Sequence, residues 1–249
     1  MATTGRAVIV TGSSRGIGAA TAILAANRGY AVCVNFVANE SAAMSVVQTI
    51  EKAGGKAIAR RADVSDERQV VELFDSAERS LGPLYGLVNN AAILERQCGF
   101  SDLSPARLER IFRTNVIGAF LCAKEAIVRM SASGGGAIVN VSSCAAKTGS
   151  PHEYVDYAMS KGALDTMTVG LAKEVAADGI RVNAVRPGFI ETDMHAAGGE
   201  PDRVERLRDS IPLKRGGTPE EAASAIVWLL SADSSYCTGS FIDVAGGVG

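Results

Sequence analysis

The chain has 249 residues and a formal net charge of −2, from 25 basic and 27 acidic side chains. This near balance argues against a dedicated nucleic-acid binder, which normally carries a strong basic excess. No apolar run approaches the roughly 18 residues that a membrane-spanning helix needs, and the first residues lack the basic and apolar regions of a secretory signal. With 47% hydrophobic and 21% charged residues, the composition is typical of a globular protein, which we expect to be cytoplasmic.

The cysteines and histidines give no sign of a disulfide framework or a metal site. The five cysteines occur without a CxxC pair in a chain that is not small, so we expect reduced thiols. The two histidines, His152 and His195, are too far from paired thiols in the sequence to suggest zinc. The sequence therefore predicts no metal ligands.

Short β-branched runs alternate with longer helical patterns along the whole chain. The predicted strands are 7–10, 31–34, 57–59, 84–88, 137–141, 180–185 and 241–244. The predicted helices lie near 16–28, 40–53, 66–81, 105–131, 155–177 and 219–231. Several strands are apolar throughout, which is typical of strands covered on both faces. Repeated β-α-β succession predicts α/β architecture in one Rossmann-type domain over 1–249, with a doubly wound parallel sheet of about seven strands and helices on both faces.

A glycine-rich stretch, TGSSRGIG at 11–18, joins the first predicted strand to the first helix. Gly12 allows the sharp turn off the strand, Gly16 lets the backbone approach a pyrophosphate, and Gly18 permits close packing of helix on strand. The N-terminus of the helix supplies oriented N–H donors for phosphate. The spacing is GxxxGxG rather than GxGxxG, but its place between strand and helix predicts a dinucleotide site.

The end of the second strand bears on the choice between NAD and NADP. An acidic residue roughly 20 positions after the glycines would accept the ribose 2′-hydroxyl of NAD, but the sequence has Asn35 there. Arg15 in the glycine loop could pair with a 2′-phosphate. No second basic residue is near Asn35 in the sequence, and Glu40 is close enough to oppose a phosphate. We expect NADP, with NAD left open.

Tyr157 and Lys161 are four residues apart in a predicted helix, so they share one face. A free tyrosine has a pKa of about 10 and is a poor proton shuttle at neutral pH. A nearby ammonium group favours the phenolate. The pair is therefore a candidate for acid–base chemistry, although such a pair also occurs on solvated helix faces.

Polar side chains at two other places could join this pair. Ser142 and Ser143 end the fifth predicted strand, where a hydroxyl can donate to a substrate carbonyl oxygen. Asn115 is a poor helix former inside the predicted helix 105–131. It is either a surface or backbone-bonded amide, or it interrupts the helix and holds a water.

Together these motifs resemble the classical short-chain dehydrogenase/reductase family over nearly the whole chain. The motifs that carry the resemblance are TGxxxGxG at 11–18, NNAA at 89–92, the Asn115 region, Ser143, Tyr157 with Lys161, and Pro187-Gly188 with Thr192. Within the family, the chain is most similar to 3-oxoacyl carrier reductases and to proteins of the glucose 1-dehydrogenase type. These differ in substrate, so the substrate stays open.

The resemblance implies a catalytic tetrad of Asn115, Ser143, Tyr157 and Lys161. In that scheme Tyr157 is the general acid/base and Ser143 binds the substrate oxygen. Lys161 lowers the pKa of the tyrosine and bonds the nicotinamide ribose, and Asn115 holds a water of a proton relay. The spacing from Ser143 to Tyr157 is one residue longer than in many members, which leaves Ser142 as the alternative serine.

The resemblance also implies which residues contact the cofactor. Asp63 and Val64 are expected at the adenine, Asn90 beside its ribose, and Ile190 and Thr192 at the nicotinamide carboxamide. The full expected set is Gly12, Ser14, Arg15, Gly16, Ile17, Gly18, Asn35, Asp63, Val64, Asn90, Ala91, Tyr157, Lys161, Pro187, Gly188, Ile190 and Thr192.

These features predict an NADP(H)-dependent enzyme that transfers hydride between nicotinamide and a carbonyl or secondary alcohol, with Tyr157 as general acid/base. The alternatives are an NAD-preferring sugar or polyol dehydrogenase, or a non-catalytic dinucleotide-binding sensor. The glycine-flanked region 190–217 is either a surface excursion or a substrate lid. The expected substrate contacts are this region together with Ile93, Leu94, Ala145, Ala146, Tyr154 and Phe189. The resemblance further implies a homo-oligomer, a tetramer or dimer, with the helices near 105–131 and 155–177 at its interface.

Overall fold

The computed structural model describes residues 5–249, in which seven parallel strands form one sheet of order β3-β2-β1-β4-β5-β6-β7. The strands are β1 (Ala7–Val10), β2 (Ala31–Phe36), β3 (Lys56–Arg61), β4 (Leu84–Asn89), β5 (Gly136–Val141), β6 (Ile180–Pro187) and β7 (Phe241–Val244). The predicted doubly wound parallel sheet is confirmed. The first four residues of the predicted domain, 1–4, lie outside the described part of the chain.

Ten α-helices connect the strands in the described residues. They are α1 (Gly16–Asn27), α2 (Glu40–Lys52), α3 (Glu67–Leu81), α4 (Pro105–Phe112), α5 (Ala119–Ser133), α6 (Ala145–Thr148), α7 (Val155–Glu174), α8 (Met194–Ala197), α9 (Arg203–Leu207) and α10 (Pro219–Leu230). None of the helices in residues 5–249 is both long and apolar enough to cross a membrane.

The side chains of β1 alternate between two apolar layers, one on each face of the sheet. Val8 and Val10 pack with α1, α2 and α10, whereas Ala7 and Ile9 pack with α3, α5 and α7. All four are fully buried. This explains why the strand is apolar at every position rather than at every second one.

The predicted helix 105–131 is divided into two α-helices by a π-helical turn. This turn, Arg113–Gly118, joins α4 directly to α5. Gly118 lies against the buried Val64, and a Cβ atom at Gly118 would come within 2.7 Å of the Val64 Cγ2 atom. A glycine is therefore needed where the helix passes the end of β3.

The carboxyl ends of all seven strands meet at one edge, because the sheet is wholly parallel. The order of strands reverses between β1 and β4, and ligands of such sheets bind in the crevice outside that point. The loops after β1, β4, β5 and β6 therefore bring predicted site residues together at this edge of the sheet.

Candidate active site

The glycine loop, residues 11–18, is fixed by hydrogen bonds to β1 and β2. The Ser13 hydroxyl donates to the Val10 carbonyl over 2.6 Å and accepts from the backbone N–H of Asn35 over 3.1 Å. The Gly12 N–H donates to the Asn35 side-chain oxygen over 3.1 Å. Gly12 and Gly16 have φ values of 60° and 55°, which a residue with a side chain rarely adopts.

The same loop leaves no room for side chains beside β4. A Cβ atom at Gly12 would lie 2.9 Å from the Ala91 Cα atom, and one at Gly18 would lie 2.5 Å from the Asn90 amide nitrogen. Asn90 donates from that nitrogen to the Gly12 carbonyl over 3.0 Å. The first turn of α1 contains no acidic residue, and the residue before it, Arg15, makes no side-chain cap. This cradle of backbone N–H groups fits the pyrophosphate of a dinucleotide.

Asn35 does not have the position expected for a residue that contacts a ribose. It is 1% exposed, and its amide nitrogen donates to the Ala62 carbonyl over 3.0 Å while its oxygen accepts from Gly12. The side chain joins the glycine loop to the end of β3. The expectation of a ribose contact is therefore corrected, because residue 35 belongs to a strand that is buried on both faces.

Two arginines carry positive charge beside this edge of the sheet. Arg15 is largely exposed, with the Asp193 carboxylate 4.0 Å away. Arg61 is an exposed residue at the end of β3, and its Nε atom donates to the Val37 carbonyl over 3.0 Å, just beyond β2. Arg61 was not among the predicted cofactor residues, because it is not close to Asn35 in the sequence. The pairing of β2 with β3, which sets Phe36 beside Arg61, is the signal that could have found it.

The predicted adenine contacts differ from each other in exposure. Val64 is 3% exposed and its side chain packs into the core. Asp63 is half-buried, and its carboxylate accepts from the Ser65 N–H over 2.9 Å. Only the Asp63 side chain therefore lies at the edge of the site.

A cavity of about 480 Å³ opens beyond the strand ends. The predicted cofactor and catalytic residues that line it are Ile17, Asn90, Ser143, Tyr157, Lys161, Pro187, Gly188, Ile190 and Thr192. Of the predicted substrate contacts, the lining includes Leu94, Ala145, Tyr154 and Phe189. Residues from all of the loops after β1, β4, β5 and β6 thus share one space.

Tyr157 and Lys161 meet Ser143 at the inner end of this cavity. The Lys161 Nζ atom lies 5.5 Å from the centre of the Tyr157 ring and donates to the Val141 carbonyl over 2.7 Å. Lys161 is 2% exposed. Ser143 lines the cavity beside Tyr157 and interacts with its hydroxyl. A phenol, an ammonium group and a strand-end hydroxyl are therefore assembled in one place.

Burial sets the protonation states of this pair. Burial raises the pKa of Tyr157 to about 12, although the hydrogen bond with Ser143 acts to lower it. Burial lowers the pKa of Lys161 to about 8, while the Asp165 carboxylate raises it. Near pH 7 the phenol is thus protonated and the lysine carries its charge.

The structure distinguishes the two serines that the sequence left open. The Ser142 hydroxyl donates to the Lys161 carbonyl over 3.3 Å and the residue is 2% exposed. The Ser143 hydroxyl meets Tyr157 instead, and it accepts from the Ala145 N–H over 3.1 Å. Ser142 is bonded to the backbone of α7, and Ser143 lines the cavity next to Tyr157.

Asn115 lies inside the π-helical turn and is 1% exposed. Its oxygen accepts from the Ile93 N–H over 2.8 Å, and its nitrogen donates to the Ile93 carbonyl and to the Ser160 hydroxyl, each over 3.1 Å. The amide therefore joins the loop after β4 to α7. Ile93, predicted to contact substrate, is held by these bonds.

The region 190–217 crosses the outer side of the cavity. Arg203 in α9 is 6% exposed and lies over the rings of Tyr154 and Phe189, at 4.8 and 5.4 Å from their centres. Its guanidinium forms an ion pair with Glu153, which precedes α7. The region is thereby tied to the loop that leads into α7.

Within residues 5–249, no group of three or more histidine, cysteine or acidic side chains is arranged to hold a metal ion. The five cysteines are free thiols. The side chains of the site can donate protons, and the glycine loop fits a dinucleotide.

Comparisons with known proteins find relatives over nearly the whole chain. A family model described as enoyl-(acyl carrier protein) reductase matches residues 12–249. An uncharacterized oxidoreductase of Escherichia coli (strain K12), YgfF, is 59% identical over 96% of this chain and 98% of its own. A short-chain type dehydrogenase/reductase of Picea abies is 38% identical, with coverage of 98% and 92%.

A solved structure is also closely similar. It is that of LugOII, a promiscuous reductase that catalyses keto-reduction at C1 during lugdunomycin biosynthesis. The TM-score is 0.91 at 36% sequence identity, over 100% of this chain and 99% of LugOII. The resemblance found in the sequence motifs is therefore confirmed. The chain belongs to the short-chain dehydrogenase/reductase family of enzymes that act on CH–OH groups with a nicotinamide cofactor.

Proposed function

We propose that the protein is an NADP(H)-dependent oxidoreductase that interconverts a carbonyl compound and a secondary alcohol, with Tyr157 as general acid/base. The observation that supports this most strongly is the assembly of Tyr157, Ser143 and Lys161 at the inner end of the cavity. A protein that only binds a dinucleotide has no need of this assembly.

Each side chain has a distinct task in reduction. Ser143 donates a hydrogen bond to the carbonyl oxygen and holds it beside the Tyr157 hydroxyl. Tyr157 transfers its proton to that oxygen as negative charge develops there, and the buried Lys161 ammonium stabilises the phenolate that remains. When bound, the nicotinamide supplies the hydride for reduction or accepts it in oxidation. Asn115 holds the loop after β4 against the catalytic helix.

The preference for NADP over NAD rests on charge at the end of β2. No carboxylate occupies position 35, the exposed Arg61 guanidinium donates to the Val37 carbonyl just beyond β2, and the exposed Arg15 lies in the glycine loop. A 2′-phosphate forms strong charge-assisted hydrogen bonds with guanidinium groups. An NAD-preferring sugar or polyol dehydrogenase is the alternative.

The walls of the cavity indicate a substrate with a substantial apolar part. Leu94, Tyr154, Phe189 and Met194 line it outside the catalytic group. The keto-reduction performed by LugOII agrees with a ketone as the group reduced. We infer that region 190–217 is the lid of this cavity, because Arg203 covers two of its aromatic walls.

The test is a panel of ketones, aldehydes and secondary alcohols, assayed with NADPH/NADP and with NADH/NAD. Replacement of Tyr157 by phenylalanine should lower kcat about a thousandfold, because general acid–base catalysis contributes on that scale. The Kd of NADPH, measured by fluorescence, should change little. Tyr236→Phe is the matched control, because Tyr236 is fully exposed and its variant should behave like the unaltered protein.

The outcomes separate the candidate functions. Unchanged turnover in Tyr157→Phe would remove the acid–base assignment. NADPH binding with no turnover of any member of the panel would favour the dinucleotide-binding sensor. A strong preference for NAD would overturn the choice of cofactor.

We also propose that the protein forms a homo-oligomer, a tetramer or dimer, through α5 and α7. These helices and the turn before α5 expose large apolar side chains, namely Ile117, Phe120, Val128, Met159 and Val169. Large apolar patches that are exposed on a globular protein mark association surfaces. Sedimentation of the protein measures the number of subunits, and a monomer would contradict the proposal. The cytoplasmic location stays a prediction of the sequence.

A further inference from the structure

A buried carboxylate stands directly before the catalytic tyrosine. Asp156 is 0% exposed, and its Oδ1 atom accepts from the backbone N–H of Tyr157 over 2.9 Å. The bond fixes the first turn of α7, from which the Tyr157 side chain leaves the helix. Nothing in the acid–base scheme uses this carboxylate.

The other oxygen of Asp156 is bound by an arginine from a different helix. The Arg107 Nε atom lies 2.6 Å from Asp156 Oδ2, and Arg107 is 9% exposed. The Arg107 Nη1 atom donates to the Arg96 carbonyl over 2.6 Å. One guanidinium therefore joins α4, the start of α7 and the loop after β4.

Asn115 makes a similar connection from the π-helical turn, which it joins to the loop after β4 and to α7. Asn115 binds Ile93 in the loop and Ser160 in α7. Ser160 and Asp156 are one helical turn apart, with Tyr157 between them in the sequence. The turn of α7 that contains Tyr157 is thus held at both of its ends against the loop that lines the cavity.

Stability alone is a poor explanation for such a pair. The desolvation of two charges offsets much of their attraction, and apolar replacements of similar volume are often equally stable. A buried pair does, however, permit few alternative geometries. This restriction is useful where one hydroxyl must be held in reach of a substrate oxygen.

We propose that Arg107 and Asp156 are positioning residues that hold the Tyr157 hydroxyl beside Ser143 and the substrate oxygen. The inference rests on the proposed role of Tyr157. Neither residue contacts the reacting atoms, so both act through the backbone of α7 and of the loop after β4.

The experiment compares Arg107→Met, Asp156→Asn and the double variant with the unaltered protein. Arg107→Met leaves a buried carboxylate without its partner and is the variant most liable to unfold. The double variant carries neither charge, and asparagine still accepts from the Tyr157 N–H, so it should fold. We expect kcat of the double variant to be about thirtyfold below that of the unaltered protein, but no lower than that of the less active single variant. The Kd of NADPH should stay within about twofold of the value for the unaltered protein.

The matched control is Arg110→Met. Arg110 is on the same helix and binds Glu95 in the same loop over 2.9 and 3.0 Å, but this ion pair is largely exposed. Its removal should leave kcat within about twofold. Equal kcat in the control and the double variant would overturn the positioning role, as would an effect confined to the melting temperature.

A second measurement does not depend on turnover. The hydroxyl-bearing ring carbon of Tyr157 is observed by NMR in protein with carbon-13-labelled tyrosine, and Tyr157→Phe assigns its resonance. The resonance should move or broaden in the double variant and stay in place in Arg110→Met. An unmoved resonance refutes positioning, whereas absence of turnover in the unaltered protein refutes only the proposed function.

Discussion

The glycine loop, residues 11–18, and the proposed lid, region 190–217, border the same cavity but are held by different interactions. The loop residue Ser13 accepts from the backbone N–H of Asn35 in β2, and the Asn35 side chain accepts from the Gly12 N–H; both residues are buried. In the lid, Arg203 is held mainly by ion pairs with carboxylates that are themselves partly exposed. The hydrogen-bond partners of the glycine loop are buried, whereas the carboxylates that bind Arg203 are partly exposed.

The difference matches what each region must do. A cradle for pyrophosphate works through backbone N–H groups in fixed directions, which buried hydrogen bonds secure. A cover must open for substrate and product, and water can reach the partly exposed carboxylates that bind Arg203 when the cover moves. Substitutions in the loop should therefore impair cofactor binding, whereas those in the lid should impair substrate binding.

The largest effect is expected in the loop, from Gly18→Ala. The added methyl group would lie 2.7 Å from the Gly12 carbonyl oxygen as well as close to Asn90. Overpacking of this kind costs up to about 3 kcal/mol, so the Kd of NADPH should rise roughly a hundredfold. Gly170→Ala in α7 meets no atom within 4 Å and serves as control. It should leave Kd unchanged and raise stability by up to about 1 kcal/mol.

A smaller effect is expected in the lid, from Arg203→Met. Loss of the ion pair with Glu153 should raise KM for the carbonyl substrate about tenfold, which corresponds to about 1.4 kcal/mol. The Kd of NADPH should change less than twofold. Arg208→Met removes an exposed lid arginine as the control. A rise in the Kd of NADPH equal to that in KM would show that the two regions do not act separately.

The smallest effect concerns the exposed side of the cofactor site. Arg61→Ala should weaken NADPH binding about fivefold and leave NADH binding unchanged, because an exposed charge pair contributes about 1 kcal/mol. Lys56, an exposed residue at the other end of β3, gives the control Lys56→Ala. Equal losses for both cofactors would show that Arg61 does not distinguish them, and the fluorescence titrations measure this directly.

The fold could be predicted from the sequence because each strand is a short apolar run between helical patterns. The predicted strand 7–10 coincides with β1, and 241–244 coincides with β7. The predicted helix 105–131 contains a π-helical turn, which agrees with the interpretation that Asn115 interrupts the helix. Hydrophobic periodicity does not register one additional residue in a turn, so the bounds of this interruption could not be predicted.

The site was predicted less completely, since contacts between distant segments leave no local signal. The motif predicted that Tyr157 and Lys161 share a face, which follows from helical spacing alone. Which of two adjacent serines faces the tyrosine depends on how β5 ends against α7. The burial of Asn35, and the meeting of Arg107 with Asp156 across 49 positions, depend equally on tertiary packing.

The π-helical turn has a consequence for how the chain tolerates insertion and deletion. Such a turn contains about one residue more than an α-helical turn, so α4 and α5 are out of phase by roughly 100°. This offset lets α4 direct Arg107 towards α7 while α5 keeps Cys122 and Ala126 against the sheet. Removal of a single residue from Arg113–Gly118 would close the turn into regular helix. The guanidinium would then rotate away from its carboxylate although every apolar contact of α5 could persist.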